Sequence, residues 1–139
     1  MPALSFPIQV YWEDTDAGGI VYHANYIRYM ERARSEWLRQ LGFAQNAQRQ
    51  RDDGVLFVVA DIAIKYHRSA ELEDSLVVTT EIERLGRASI TFIQKVLRGD
   101  ELITSAKVRV GTISAKTRQP AAIPADLHNK ILAFVEPAA

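Results

Sequence analysis

The stretch that decides the fold runs from residue 24 to residue 42: Ala24-Asn25-Tyr26-Ile27-Arg28-Tyr29-Met30-Glu31-Arg32-Ala33-Arg34-Ser35-Glu36-Trp37-Leu38-Arg39-Gln40-Leu41-Gly42. Tyr26, Met30, Ala33, Trp37, Leu38 and Leu41 recur at steps of three and four, while Glu31, Arg32, Arg34, Glu36 and Arg39 take the other face. That spacing predicts an amphipathic helix. Asn25 or a neighbour is placed to cap its start, and Gly42 suits the left-handed residue that ends such helices. At 1.5 Å per residue the helix is about 28 Å long. A chain of 139 residues has a radius of gyration of only about 14 Å when compact. The helix must therefore cross the middle of the molecule, and the rest of the chain must cover it.

The rest reads as strands. Phe6 to Trp12 is rich in β-branched and aromatic residues and predicts a first strand. After a polar, helix-compatible and exposed stretch from Gln45 to Gly54, four segments alternate with period two. In the first of them Val58, Ala60, Ile62, Ile64 and Tyr66 alternate with Val59, Asp61, Ala63, Lys65 and His67. The others are marked by Leu76, Val78, Thr80 and Ile82, by Ala88, Ile90, Phe92, Gln94 and Val96, and by Leu102, Thr104, Ala106, Val108 and Val110. Short connectors make neighbours antiparallel. Pro120 and Pro124 precede a short last helix over residues 125–135. One long early helix followed by long antiparallel strands is an α+β pattern in which about five strands curl around the helix, the hot-dog layout. No repeat, low-complexity tract or linker divides the chain, so one domain over residues 1–139 is expected.

Composition narrows the function. The 17 Lys+Arg balance 17 Asp+Glu, so a general nucleic-acid binder, which needs a basic excess, is not expected. The absence of cysteine excludes disulfides, thiolate metal sites and a catalytic thiol. The N-terminus has no basic start and no signal-like apolar stretch, and the longest apolar run, Val55 to Ala60, is far short of the roughly 20 residues of a membrane span. A cytoplasmic protein without a membrane span is the expectation. Gly-x-Ser-x-Gly and glycine-rich phosphate motifs are missing, which removes serine-hydrolase and nucleotide chemistry.

Between the first strand and the helix the chain reads Gln9-Val10-Tyr11-Trp12-Glu13-Asp14-Thr15-Asp16-Ala17-Gly18-Gly19-Ile20-Val21-Tyr22-His23-Ala24-Asn25-Tyr26. A carboxylate just before a helix N-terminus, beside two glycines that let backbone approach a ligand, is placed to face a polarised carbonyl. The competing reading makes Asp14 and Asp16 turn or capping carboxylates. Neither a histidine nor a further acid stands at the spacing of a calcium loop or a zinc helix, so no metal is expected.

The same stretch resembles the signature of the 4-hydroxybenzoyl-CoA thioesterase family, and within it the acyl-CoA thioesterases encoded with bacterial Tol-Pal genes. The resemblance continues through Tyr29, Glu31-Arg32-Ala33-Arg34 and Trp37-Leu38 and, more loosely, through the strands. It implies a cofactor-independent acyl-CoA thioester hydrolase. In that role Asp16 is nucleophile or general base, and the backbone amide near His23 polarises the thioester carbonyl. The His23 imidazole is placed to orient Asp16 or a water. Gly19, Tyr22 and Tyr26 stand on the substrate side, Tyr29 in the core, and Arg87 with Ser89 where relatives meet CoA phosphates. The resemblance also implies a homodimer or homotetramer with sites at the subunit interface, and acyl carrier protein as a further acyl donor. Two other classes compete: a non-catalytic acyl-chain or acyl-carrier binding module, and a hot-dog dehydratase.

Overall fold

The computed structural model describes residues 4–135. Five strands, β1 (Leu4–Gln9), β2 (Val55–Tyr66), β3 (Ser75–Leu85), β4 (Ser89–Arg98) and β5 (Glu101–Ser114), form one antiparallel sheet in the order β1-β3-β4-β5-β2. The helices are α1 (His23–Gln40), α2 (Gln45–Gln50) and α3 (Ala125–Val135). This is the α+β hot-dog layout that the long helix and four alternating segments predict.

The core forms where α1 lies on the inner face of the sheet. Tyr26, Tyr29, Met30, Ala33, Trp37 and Leu38 of α1 are buried, and so are Val78, Ile82, Ile90, Phe92, Val96 and Val108 of the sheet. The Trp37 ring stands edge-on to Phe92 at 5.3 Å and to Phe134 of α3 at 5.9 Å. Burial of each large side chain contributes about 1.5–3 kcal/mol, which is what fixes the helix on the sheet. Gly42, at φ +82°, ends α1 in the left-handed conformation, and the Phe43 amide reaches back to the Leu38 carbonyl at 3.1 Å.

Three sequence expectations change. The first strand stops at Gln9, because Tyr11 and Trp12 are exposed and the chain tightens into a 3₁₀ turn over Trp12–Asp14. There the Asp14 carboxylate accepts the Tyr11 amide at 2.8 Å. The strict alternation of β2 is broken by a bulge between Val59 and Asp61. The inner-face residues are therefore Phe57, Val59, Ile62, Ile64 and Tyr66, each opposite an inner-face residue of β5 from Thr112 to Thr104. Val58, grouped by alternation with Ile62, lies on the other face, and Ala60 is the unpaired residue of the bulge. Finally Arg34, assigned by spacing to the polar face of α1, is buried with 7% of its surface exposed.

Candidate active site

The loop before α1 is a tight hairpin. Thr15 bridges Val21, the Asp16 amide donates to the Ile20 carbonyl at 2.9 Å, and the Gly19 amide donates to the Asp16 carbonyl at 3.0 Å. Gly19 holds φ +81°, a conformation that glycine adopts without the Cβ penalty other residues carry, and this lets the chain return so abruptly. One carboxylate oxygen of Asp16 accepts the Gly18 amide at 2.8 Å, which fixes the side chain over the turn. Asp16 is exposed, and its other oxygen meets no protein donor among the described residues.

The hairpin is fastened to the start of α1 by Asp14 and Asn25. The Asp14 carbonyl accepts the Tyr22 amide and the Asn25 side-chain amide, each at 2.9 Å. Asn25 thus ties the loop down and does not cap the helix. Tyr22 holds the N-cap position with no side-chain cap bond. The amides of His23 and Ala24 consequently find neither a backbone nor a side-chain acceptor among the described residues. Two free amides at the positive end of an 18-residue helix form a place for developing negative charge.

Beneath this lies a support that the sequence pattern did not disclose. The Val21 amide donates to the Ala70 carbonyl at 2.8 Å, Ile20 bridges Glu71, and the Ala70 amide donates to the Tyr26 hydroxyl at 3.0 Å. Arg98 holds that platform from β4, donating to the Ser69 carbonyl at 3.2 Å and to the Asp74 carboxylate at 2.8 Å. Burial works against ionisation of Asp74. The Glu71 amide and Arg98 outweigh it and hold its pKa below the usual carboxylate range. From β2 the Tyr66 hydroxyl donates to the His23 carbonyl at 3.2 Å, while its ring stands edge-on to the imidazole at 6.1 Å. Apart from the local Glu71–Asp74 bond, these contacts join residues 24 or more apart in the chain, so no local spacing marks them.

The structure brings Asp16, Gly19, Tyr22, His23 and Tyr26 to one end of the sheet. Tyr22 and His23 are exposed with ring centroids 4.6 Å apart, whereas Tyr26 is buried with its hydroxyl committed to Ala70. Burial pushes the Tyr26 hydroxyl above the ordinary tyrosine range. Tyr29 is fully buried in the core, as its spacing predicts. Arg87 and Ser89 lie at the opposite end. Ser89 is opposite Gly111 on β5, Gly111 is opposite Val58 on β2, and Tyr66 lies eight residues along β2 from Val58. At about 3.3 Å per residue that is roughly 25 Å from the His23 end. A concavity of about 910 Å³ on the outer side of α1, between Arg28, Arg32, Arg39 and Phe43, includes neither Asp16 nor His23. No cluster of three metal-ligating side chains occurs among the described residues.

Comparison with known proteins places the chain in a family. Residues 10–131 match the family model described as the thioesterase-like superfamily. The "Acyl-CoA thioesterase YbgC" of Haemophilus influenzae is 42% identical over 123 residues, spanning 88% of this chain and 90% of that one. Its namesake in Helicobacter pylori is 34% identical over 125 residues, 84% of this chain and 90% of the other. Among solved structures, a probable thioesterase from Bartonella henselae superposes with a TM-score of 0.84 at 34% identity, covering 88% of this chain and all of that one. The chain belongs to the thioesterase-like superfamily.

Proposed function

We propose that this protein hydrolyses acyl-CoA thioesters, releasing CoA and a carboxylic acid. The observation that carries the reading is the pairing of an exposed, turn-held Asp16 carboxylate with the unmet amides of His23 and Ala24 across a hairpin pinned to the same helix. The thioester oxygen sits against those amides, which lowers the barrier as negative charge builds on it. Asp16 then acts by one of two routes. It takes a proton from water as the water attacks the carbonyl carbon, or it attacks that carbon itself to give an anhydride that water opens. In both, the C–S bond breaks and the leaving thiolate is protonated. Similarity to the acyl-CoA thioesterases of H. influenzae and H. pylori supports the CoA ester over the dehydratase alternative.

The site is completed by a second copy. β2 is an edge strand whose Val58, Val59 and Tyr66 are 41%, 48% and 45% exposed. Pairing β2 with itself about a two-fold axis covers that edge. Because such a pair is antiparallel, it also carries the other chain's β3–β4 turn toward this chain's His23. That accounts for Arg87 and Ser89: they meet the anionic CoA of the neighbouring site and not their own. Acyl carrier protein is a second acyl donor consistent with the same thioester chemistry.

Release of free thiol from acyl-CoA by wild type and Asp16→Asn tests this. Turnover should fall by roughly 10²–10⁴ in the variant. Equal rates sink the assignment of Asp16, and acyl-ligand binding without turnover at any chain length favours a binding module instead. Mass analysis of rapidly quenched enzyme separates the routes, since only the anhydride adds the acyl mass to the protein. Light scattering tests the dimer: Val58→Lys with Val59→Lys should halve the particle mass of a dimer.

A further inference from the structure

Arg34 is a mostly buried cation whose nearby counter-charge, Glu31 one turn earlier on α1, makes no salt bridge with it. Its Nη1 donates to Gln94 Oε1 at 2.9 Å, and Gln94, itself fully buried, is locked in that orientation by donating to the Met30 carbonyl at 2.9 Å and to Thr80 Oγ1 at 3.0 Å. None of the ion pairs among the described residues includes Arg34. A guanidinium carries five N–H donors, and one is used. The side chain borders a cavity of about 270 Å³ whose walls are Leu38, Phe57, Val59, Phe92 and Val110. Glu31, one turn earlier on α1, also borders the cavity; it is exposed and forms no ion pair.

A cavity with apolar walls on β2, β4 and β5 and polar groups, Arg34 with Glu31, Ser35 and Gln45, on its helical side suits a ligand with an apolar body and a flat anionic end that the guanidinium can grip. Its position relates it to the thioester site. Gln94 bonds both Arg34 and the Met30 carbonyl, so the charge sits level with Met30, seven residues past His23, on the order of 10 Å along the helix. The inner-face residues of β2 run beside α1 from Tyr66, which touches His23, to Val59 and Phe57, which wall the cavity. Only the bulge after Val59 puts all of them on one face.

We propose that the Arg34 cavity binds the distal carboxylate of the acyl group, making ω-carboxyacyl thioesters, the monothioesters of dicarboxylic acids, a preferred substrate class. This rests on the thioesterase reading of Asp16. A plain alkyl end would displace water from the guanidinium N–H groups that Gln94 leaves free and offer them no acceptor. A carboxylate replaces the lost water with two parallel hydrogen bonds. The cavity is concave and walled by five elements of a single chain, which suits the end of a chain better than the flat face of another protein.

The test uses the protein with octanoyl-CoA and 7-carboxyheptanoyl-CoA, the CoA monothioester of suberate, comparing wild type, Arg34→Gln and Arg34→Lys. The ratio of kcat/KM for the carboxylated over the plain thioester should be at least 10 in wild type. It should fall tenfold or more in Arg34→Gln and by less in Arg34→Lys, which keeps the charge without the fork. Direct binding of suberate and of octanoate by calorimetry is the readout independent of turnover, and suberate binding should be lost in Arg34→Gln. A wild-type ratio at or below 1, or a ratio unchanged in Arg34→Gln, overturns the proposal. So does a change of particle mass shared by Arg34→Gln and Glu31→Gln, which would assign the guanidinium to a second copy. Arg34-dependent suberate binding with neither thioester hydrolysed would leave the carboxylate site standing and remove the thioesterase reading.

Discussion

Tyr26 and Tyr29 lie one turn apart on α1, both buried, with rings edge-on at 6.1 Å, and their hydroxyls should have opposite values. Tyr26 accepts the Ala70 amide at 3.0 Å, and Ala70 has no exposed surface from which water could replace that bond. Tyr26→Phe leaves a buried N–H unmet, which costs about 1–3 kcal/mol. For a chain of this size the loss lowers Tm by about 4–10 °C. It also loosens the segment whose Ala70 carbonyl holds Val21, so turnover should drop along with stability. The Tyr29 hydroxyl is buried beside Asp14, outside good hydrogen-bond geometry, and burial together with that carboxylate raises its pKa well above the tyrosine range. Tyr29→Phe removes a polar atom with no partner to strand and should be neutral or stabilising. Urea unfolding at fixed protein concentration measures both, with thiol release as the second readout. Equal losses in the two variants would refute the reasoning, because they would show Tyr29 bonded to Asp14 as firmly as Tyr26 is to Ala70.

Other outcomes follow from single contacts. Gly54→Ala should destabilise by about 2 kcal/mol or more in thermal unfolding, since the added Cβ would lie 1.8 Å from the Gln48 carbonyl oxygen and backbone must move. Gly19→Ala meets no atom within 4 Å but must hold φ +81°, so it should cost about 1 kcal/mol and lower kcat by tilting the Asp16 turn. Asp74→Asn breaks the ion pair with Arg98, a loss of about 1 kcal/mol for a partly exposed pair. Because the folded-state pKa of Asp74 lies below its unfolded value of about 3.9, that stability is present above pH 4 and vanishes as pH falls. Melting curves of wild type and variant should stand apart at pH 7 and converge in acid; a constant gap down to pH 2 would contradict the pairing.

Much of this molecule is legible in the sequence because its strongest signals are local. The steps of three and four from Tyr26 to Leu41 locate α1 within a residue, and Pro120 and Pro124 place the last helix at residues 125–135. The Asp16 loop was legible as a motif, and Gly18-Gly19 explains its sharp return. The supports of the site were not. Tyr66, Ala70, Asp74 and Arg98 reach it only through strand pairing and the β2–β3 connection, and each alone is an unremarkable strand or loop residue.

The two errors of pattern, at Ala60 and Arg34, have one physical origin. Alternation and helical spacing describe a regular element against a uniform partner, yet the bulge at Ala60 and the Arg34 side chain both border the seam between α1 and β2, the free edge of the sheet. At that seam the sheet ends, and among the described residues no strand pairs with the outer edge of β2. A bulge after Val59 keeps Phe57 and Val59 turned inward over it, on the same face as Ile62, Ile64 and Tyr66. Gln94, a polar residue at an otherwise apolar inner-face position, holds Arg34 there at the expense of a larger apolar core. A purely structural seam would be filled by two aliphatic side chains at lower desolvation cost. Retaining a fastened guanidinium beside an open space is a departure from core-building rules of the kind found at binding sites, and the proposed carboxylate site lies at that seam, one helical stretch away from Asp16.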